Sequence, residues 1–102
     1  MKLGRVALLT NPVAGHGKAL AASRRALARF RHHGAEVREL AGTDAQSSAE
    51  LAKEAVADGV DALVVVGGDG MIHLALSAVA GTSILLGVVP AGTGNDQAWE
   101  HD

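Results

Sequence analysis

The chain has 102 residues, 48% of them apolar, a formal net charge of −2 and no cysteine. That size sets an expectation of one small domain. The charge argues against a global positive field drawing the chain to nucleic acid or an anionic membrane, and the lack of thiols excludes disulfides, thiolate metal sites and a cysteine nucleophile. No apolar run reaches the length of a membrane span, and the run at the N-terminus is too short for a secretory signal, so a cytoplasmic protein is expected.

In chain order, RVALLT at 5–10 is a short aliphatic run stopped by Asn11 and Pro12, the pattern of a buried strand. From about Lys18 the period changes to that of a helix, with Leu20, Ser23, Leu27 and Phe30 on one face, Arg24, Arg25 and Arg31 opposite, and Gly34 as its stop. EVREL at 36–40 is a weaker strand, interrupted by charge and so placed near an edge, with Gly42 and Thr43 as the turn after it. SSAE at 47–50 reads as a capping box opening a second helix, with Leu51, Ala55 and Val56 inward and Gly59 closing it. ALVVV at 62–66 is continuous and β-branched, as expected of a central parallel strand covered on both faces. A third helix is expected from about Gly70 to Ala80, ended by Gly81, and ILLGVV at 84–89 gives a fourth strand that runs into Pro90. Strictly alternating strands and helices predict an α/β fold with a parallel sheet between helix layers. The tail from Gln97 carries too little pattern to assign.

In such a sheet the segments following the strands leave from one edge, and open α/β sheets bind ligands there. The glycines cluster accordingly: NPVAG at 11–15, GGDG at 67–70 and PAGTGND at 90–96 all fall on that edge. GGDG lies between strand and helix, where backbone N–H groups form an anion cradle. Asp69 would repel a bare phosphate unless it works through a metal ion or takes a proton from a hydroxyl; the plainer alternative is that it caps the third helix. GHGK at 15–18 is not a P-loop, because its first glycine is misplaced and Ala19 stands where Ser or Thr should hold magnesium. His16, His32, His33 and His101 show no metal-ligand spacing.

With the three loops in this order, the sequence resembles the diacylglycerol kinase catalytic domain family, which includes bacterial lipid kinases and sphingosine kinases. The resemblance implies a three-layer parallel-sheet nucleotide-binding lobe, Rossmann or flavodoxin-like and akin to phosphofructokinase and NAD kinase. It implies ATP with Mg2+ as the cofactors and a diacylglycerol or sphingoid-like lipid as the substrate of the full-length protein. By position, Asn11, Pro12, Val13, Ala14, Gly15, Thr43, Gly67, Gly68, Asp69, Gly70, Met71, Ile72, His73, Gly92, Thr93, Gly94 and Asn95 correspond to nucleotide-contacting positions. Asp69 corresponds to the acidic residue needed for phosphoryl transfer; the residues that would hold magnesium stay unassigned. Two positions depart from the pattern: Met71 stands where threonine is usual, and Leu74 where glutamate is frequent.

The family's C-terminal β-rich lobe has no counterpart in residues 1–102, so the chain is expected to be one truncated domain, a nucleotide-binding lobe with little turnover alone. Peripheral membrane contact through that lobe and a homodimer both fit this reading. Its rivals are a nucleotide-binding or assembly module without kinase activity, and an NAD kinase-like enzyme.

Overall fold

The computed structural model describes residues 4–91. Within them, β1 (Arg5–Thr10), α1 (Lys18–His32), β2 (Glu36–Ala41), α2 (Ala45–Ala57), β3 (Ala62–Val66), α3 (Asp69–Val79) and β4 (Leu85–Val89) alternate, with a short 3₁₀ turn over Ala14–Gly17 before α1. The four strands form one parallel sheet in the order β2-β1-β3-β4. This is the arrangement expected from the alternation. The charged strand β2 lies at an edge, and the fully buried ALVVV strand β3 is central.

Alternation along the strands builds two cores. Ala7, Leu9, Leu63 and Val65 face Ala52 and Ala55 of α2 and Ala75 of α3, while Val6, Leu8, Val64 and Val66 face Ala19 and Ala22 of α1. One helix covers one face and two cover the other, because the chain reverses its direction across the sheet after β2 while its crossovers keep one hand. Small residues dominate the helix faces, so the layers sit close. Within the sheet the fit is also tight at Gly87, which pairs directly with Val64: a Cβ there would come within 3.2 Å of the Val64 side chain.

The structure corrects several local expectations. The box that opens α2 is not at 47–50: Asp44 is the N-cap and accepts from the Ser47 N–H at 2.7 Å, while the Ser47 hydroxyl accepts from the Asp44 N–H. Ser47 therefore sits inside the first turn of the helix. Leu20 is 36% exposed and lies outside the inward face of α1, where alanines pack instead. The fourth strand begins at Leu85 rather than Ile84. Gly34, Gly59 and Gly81 adopt the positive φ expected of helix stops.

Two predictions follow from this packing. Gly42 is buried where β2 turns into α2, and a Cβ there would run into the Ser48 hydroxyl and reach 2.9 Å from Ser48 Cα, a backbone atom that cannot swing aside. Gly42→Ala is expected to destabilise the fold by about 1–3 kcal/mol, read as a drop in the chemical denaturation midpoint. The bonds from Ser47, its backbone N–H first, hold the Asp44 carboxyl below its ordinary value of 3.8. A carboxyl whose folded pKa is depressed contributes stability above its unfolded pKa and loses it as pH falls through the folded one. Asp44→Asn should therefore flatten the acid limb of a melting-temperature profile below about pH 4, with no change in slope near neutrality.

Candidate active site

The strand registers bring the functional loops together. Ala41, Thr10, Val66 and Val89 pair in one row across the sheet, so all four strands end level. The Gly42 N–H bonds the Thr10 carbonyl at 2.9 Å and the Gly67 N–H bonds the Val89 carbonyl at 3.1 Å, locking the first residue beyond each of those strands to its neighbour. Strand order reverses between β1 and β3, so the loops after them, 11–17 and 67–68, part in opposite directions and leave a crevice between them, the place where open α/β sheets take ligands.

On the β1 side, the Asn11 side-chain carbonyl accepts from the Val13 N–H at 3.1 Å and the Asn11 backbone carbonyl accepts from Ala14 at the same distance. Asn11 thus folds its own loop, and that bond leaves its amide NH2 group free to donate elsewhere. Ala14 packs down on the α1-side core, whereas Val13 is 70% exposed at the tip. Gly15 and Gly17 both take positive φ, 61° and 89°, which makes the 3₁₀ turn and the sharp entry into α1 accessible to them and strained for other residues.

On the β3 side, Gly67 has φ 151° and a Cβ there would meet Met71 Cγ at 2.9 Å, so this glycine is required by the fold. Gly68 and Gly70 are different. Neither needs a left-handed backbone, both are exposed, and a Cβ on either would meet nothing within 4 Å. Gly68 is the N-cap of α3 and has no side chain to cap it. The first bond within the helix runs from Ile72 to Gly68, so the N–H groups of Asp69, Gly70 and Met71 have no partner inside the helix. Serine or aspartate at position 68 would serve the helix better, and alanine at 70 better than glycine.

Asp69 occupies the first turn of α3, past the cap, so it is exposed and makes no capping bond; the capping explanation for this residue falls. Its charge still favours the positive end of the helix. His73 lies one turn on, on the same helix face and exposed. Met71 and Leu74 pack against the α2- and α3-side core, and Ile72 is half-buried. Met71 therefore closes over Gly67 rather than facing the crevice with a polar group. Thr43 is exposed beyond β2, on the far side of the 11–17 loop from α3. Pro90 and Ala91 leave β4 on the other flank, while Gly92, Thr93, Gly94 and Asn95 lie outside the described residues.

One residue at this edge gave little sign of itself in the sequence. Thr10 ends the aliphatic β1 run, is only 6% exposed, and its hydroxyl has no hydrogen-bond partner among the described residues. A lone polar side chain at the C-terminal end of a buried central strand was its only signal. No cluster of three or more His, Asp or Glu that could hold a metal exists among the described residues. Asp69 is the one carboxylate of the 67–70 turn, so a magnesium ion here would take its remaining ligands from phosphate and water. Among the described residues no helix is long and apolar enough to cross a membrane.

Residues 5–101 match the diacylglycerol kinase catalytic domain. The chain is 50% identical over 99 residues to a diacylglycerol kinase of Mycobacterium tuberculosis, in both strain H37Rv and strain CDC 1551, covering 97% of this chain and 32% of that protein. Its fold superposes on the crystal structure of a diacylglycerol kinase from Bacillus anthracis strain Sterne with a TM-score of 0.68 at 27% identity, covering 94% of this chain and 36% of that one. The chain thus spans about a third of the length of these relatives.

The glycine pair yields a direct test. Gly70→Ala is expected to stabilise the fold by about 0.5 kcal/mol in denaturant titration while weakening whatever anion the α3 N-terminus holds. A neutral or destabilising outcome would mean that the fold itself, and not a ligand, requires glycine at 70.

Proposed function

The chain belongs to the diacylglycerol kinase catalytic domain family, and from that membership we propose that it is the nucleotide-binding lobe of an enzyme that moves the γ-phosphoryl group of ATP to a lipid hydroxyl, of diacylglycerol or a sphingoid-like alcohol. The observation that carries this reading is the pair Gly68 and Gly70, which the fold does not need and which leave the start of α3 bare. Bare N–H groups at a helix N-terminus hold phosphate oxygens well, and glycine lets those oxygens approach.

In this reading the phosphates lie along the N-terminus of α3, with the 11–15 loop closing the crevice from the β1 side and the Asn11 amide donating to the nucleotide. Magnesium, when bound with ATP, would supply charge neutralisation of the phosphates, with Asp69 as the protein carboxylate placed to hold it. Asp69 is also placed to accept the proton of the attacking hydroxyl. The lipid oxygen then bonds to the γ-phosphorus as the bond to the bridging oxygen breaks and ADP leaves. Such transfer rests on positioning and charge neutralisation, so these 102 residues alone should bind nucleotide weakly and turn over little.

A second reading, a lobe that binds nucleotide without transferring phosphate, draws support from Met71 and Leu74. Both are apolar and packed on the core where the family commonly has a hydroxyl and a carboxylate.

Thermal unfolding tests the nucleotide binding that both readings require, and lipid phosphorylation separates them. ADP, or ATP with magnesium, at millimolar concentration should raise the melting temperature, NAD should not, and Gly68→Val should abolish the shift. In the full-length protein Asp69→Asn should lower kcat by about 100-fold or more while leaving ADP affinity near that of wild type. A nucleotide shift with no lipid phosphorylation in the full-length wild type would favour the second reading; no shift with any nucleotide would overturn both.

A further inference from the structure

Gly68 and Gly70 are not alone at this edge in being residues that the fold would replace. Thr10 closes β1 in the interior of the sheet, is only 6% exposed, and its hydroxyl has no hydrogen-bond partner among the described residues. Its backbone is engaged on both sides: it pairs with Ala41 and with Val66, and its carbonyl accepts from the Gly42 N–H at 2.9 Å. The side chain alone is left over. A buried hydroxyl without a partner costs stability, and valine would occupy the same space without that cost.

Side-chain alternation fixes where the hydroxyl lies. Val6 and Leu8 face α1 while Ala7 and Leu9 face the opposite layer, so Thr10 is on the α1 face of the sheet. The 11–17 loop runs over that face on its way from β1 to α1, and Thr10 is at its root, beneath it. The loop is held largely by itself. Its bonds from the Val13 and Ala14 N–H groups both end on Asn11, and Ala14 is the loop residue that packs on the core. Helix α1 then opens at Gly17 with no side-chain cap and no acidic residue in its first turn, and its first residue is the exposed Lys18. Such a helix end favours an anion.

We infer that the Thr10 hydroxyl is a binding group for the nucleotide, which donates to a phosphate oxygen at the start of α1 once the 11–17 loop lifts Ala14 off the core. Two independent features meet here: an orphaned hydroxyl at the end of a strand, and an uncapped positive helix end beside a lysine. A phosphate oxygen satisfies both, because it accepts from the hydroxyl and carries the charge that the helix end attracts. A sugar hydroxyl would satisfy only the first. Thr10 thereby differs in kind from Gly68 and Gly70, which let an oxygen approach, whereas Thr10 supplies a proton to it. The inference rests on the nucleotide-binding reading and extends it. With α3 on one face of the sheet and α1 on the other, a diphosphate or triphosphate would be held from both sides of the strand reversal.

The test compares wild type, Thr10→Val and Thr10→Ser in the full-length protein, by melting temperature without ligand and by calorimetric titration with ADP and with inorganic pyrophosphate. Thr10→Val should melt at or above the wild-type temperature, since it removes an unsatisfied hydroxyl. It should nevertheless bind both ligands about tenfold more weakly, the effect of losing a hydrogen bond to a charged oxygen. Thr10→Ser keeps the hydroxyl and should retain wild-type affinity. A lower melting temperature for Thr10→Val would assign the hydroxyl to the fold and overturn the inference. Weaker binding of ADP, with pyrophosphate unaffected or not bound at all, would place the hydroxyl on the nucleoside and overturn the phosphate assignment. If wild type binds and Thr10→Val binds equally well, the inference falls alone; if wild type binds neither ligand, the nucleotide-binding reading falls and takes the inference with it.

Discussion

The level row formed by Ala41, Thr10, Val66 and Val89 is the constraint on which the rest of this molecule depends. Parallel pairing fixes it: once Val6 is opposite Ala62, and Ala62 opposite Leu85, every strand must deliver its following loop to the same edge. The reversal of strand order between β1 and β3 then opens a crevice there without any further device. Just beyond that row the sequence places glycine where a helix would accept serine, and an aspartate one residue too late to cap.

The glycines divide by this logic into those the fold needs and those it does not. Gly42, Gly67 and Gly87 lie against Ser48, Met71 and Val64 at distances no side chain would tolerate comfortably, and Gly34, Gly59 and Gly81 turn helices off. Gly68 and Gly70 satisfy neither need. Local stability would replace both, and both stand on the edge where strand order reverses, the edge at which open α/β sheets take ligands.

Much of this was legible beforehand, for physical reasons. The aliphatic runs at β1 and β3 have no polar period and could only be buried on both sides, and the charged run at β2 could only be an edge. What could not be read was the competition between caps. Asp44 and Ser47 bid for the start of α2 against the serines and glutamate further on, and the winner is set by where β2 ends, at Ala41, a long-range pairing with Thr10. The inward face of α1 was misjudged at Leu20 because the contact stripe runs along Ala19, Ala22, Ala26 and Phe30, which turns Leu20 toward solvent. Of the site, the two loops flanking the reversal were legible by their glycines, whereas the buried hydroxyl of Thr10 and the packing role of Met71 needed coordinates.

The central position of β1 bears on how the chain can be made. As residues emerge from the ribosome, β1, α1 and β2 can close first, since their contacts lie within the first 41 residues. The other edge of β1, from Val6 to Thr10, pairs with β3 and so waits for Val66. Through that interval an aliphatic strand presents open amide and carbonyl groups, the condition under which nascent chains pair with the wrong neighbour. The α2 helix, with its cap set by Asp44 and Ser47, is the one element that can form locally in the meantime, and its early appearance would shorten the effective loop that β3 has to close.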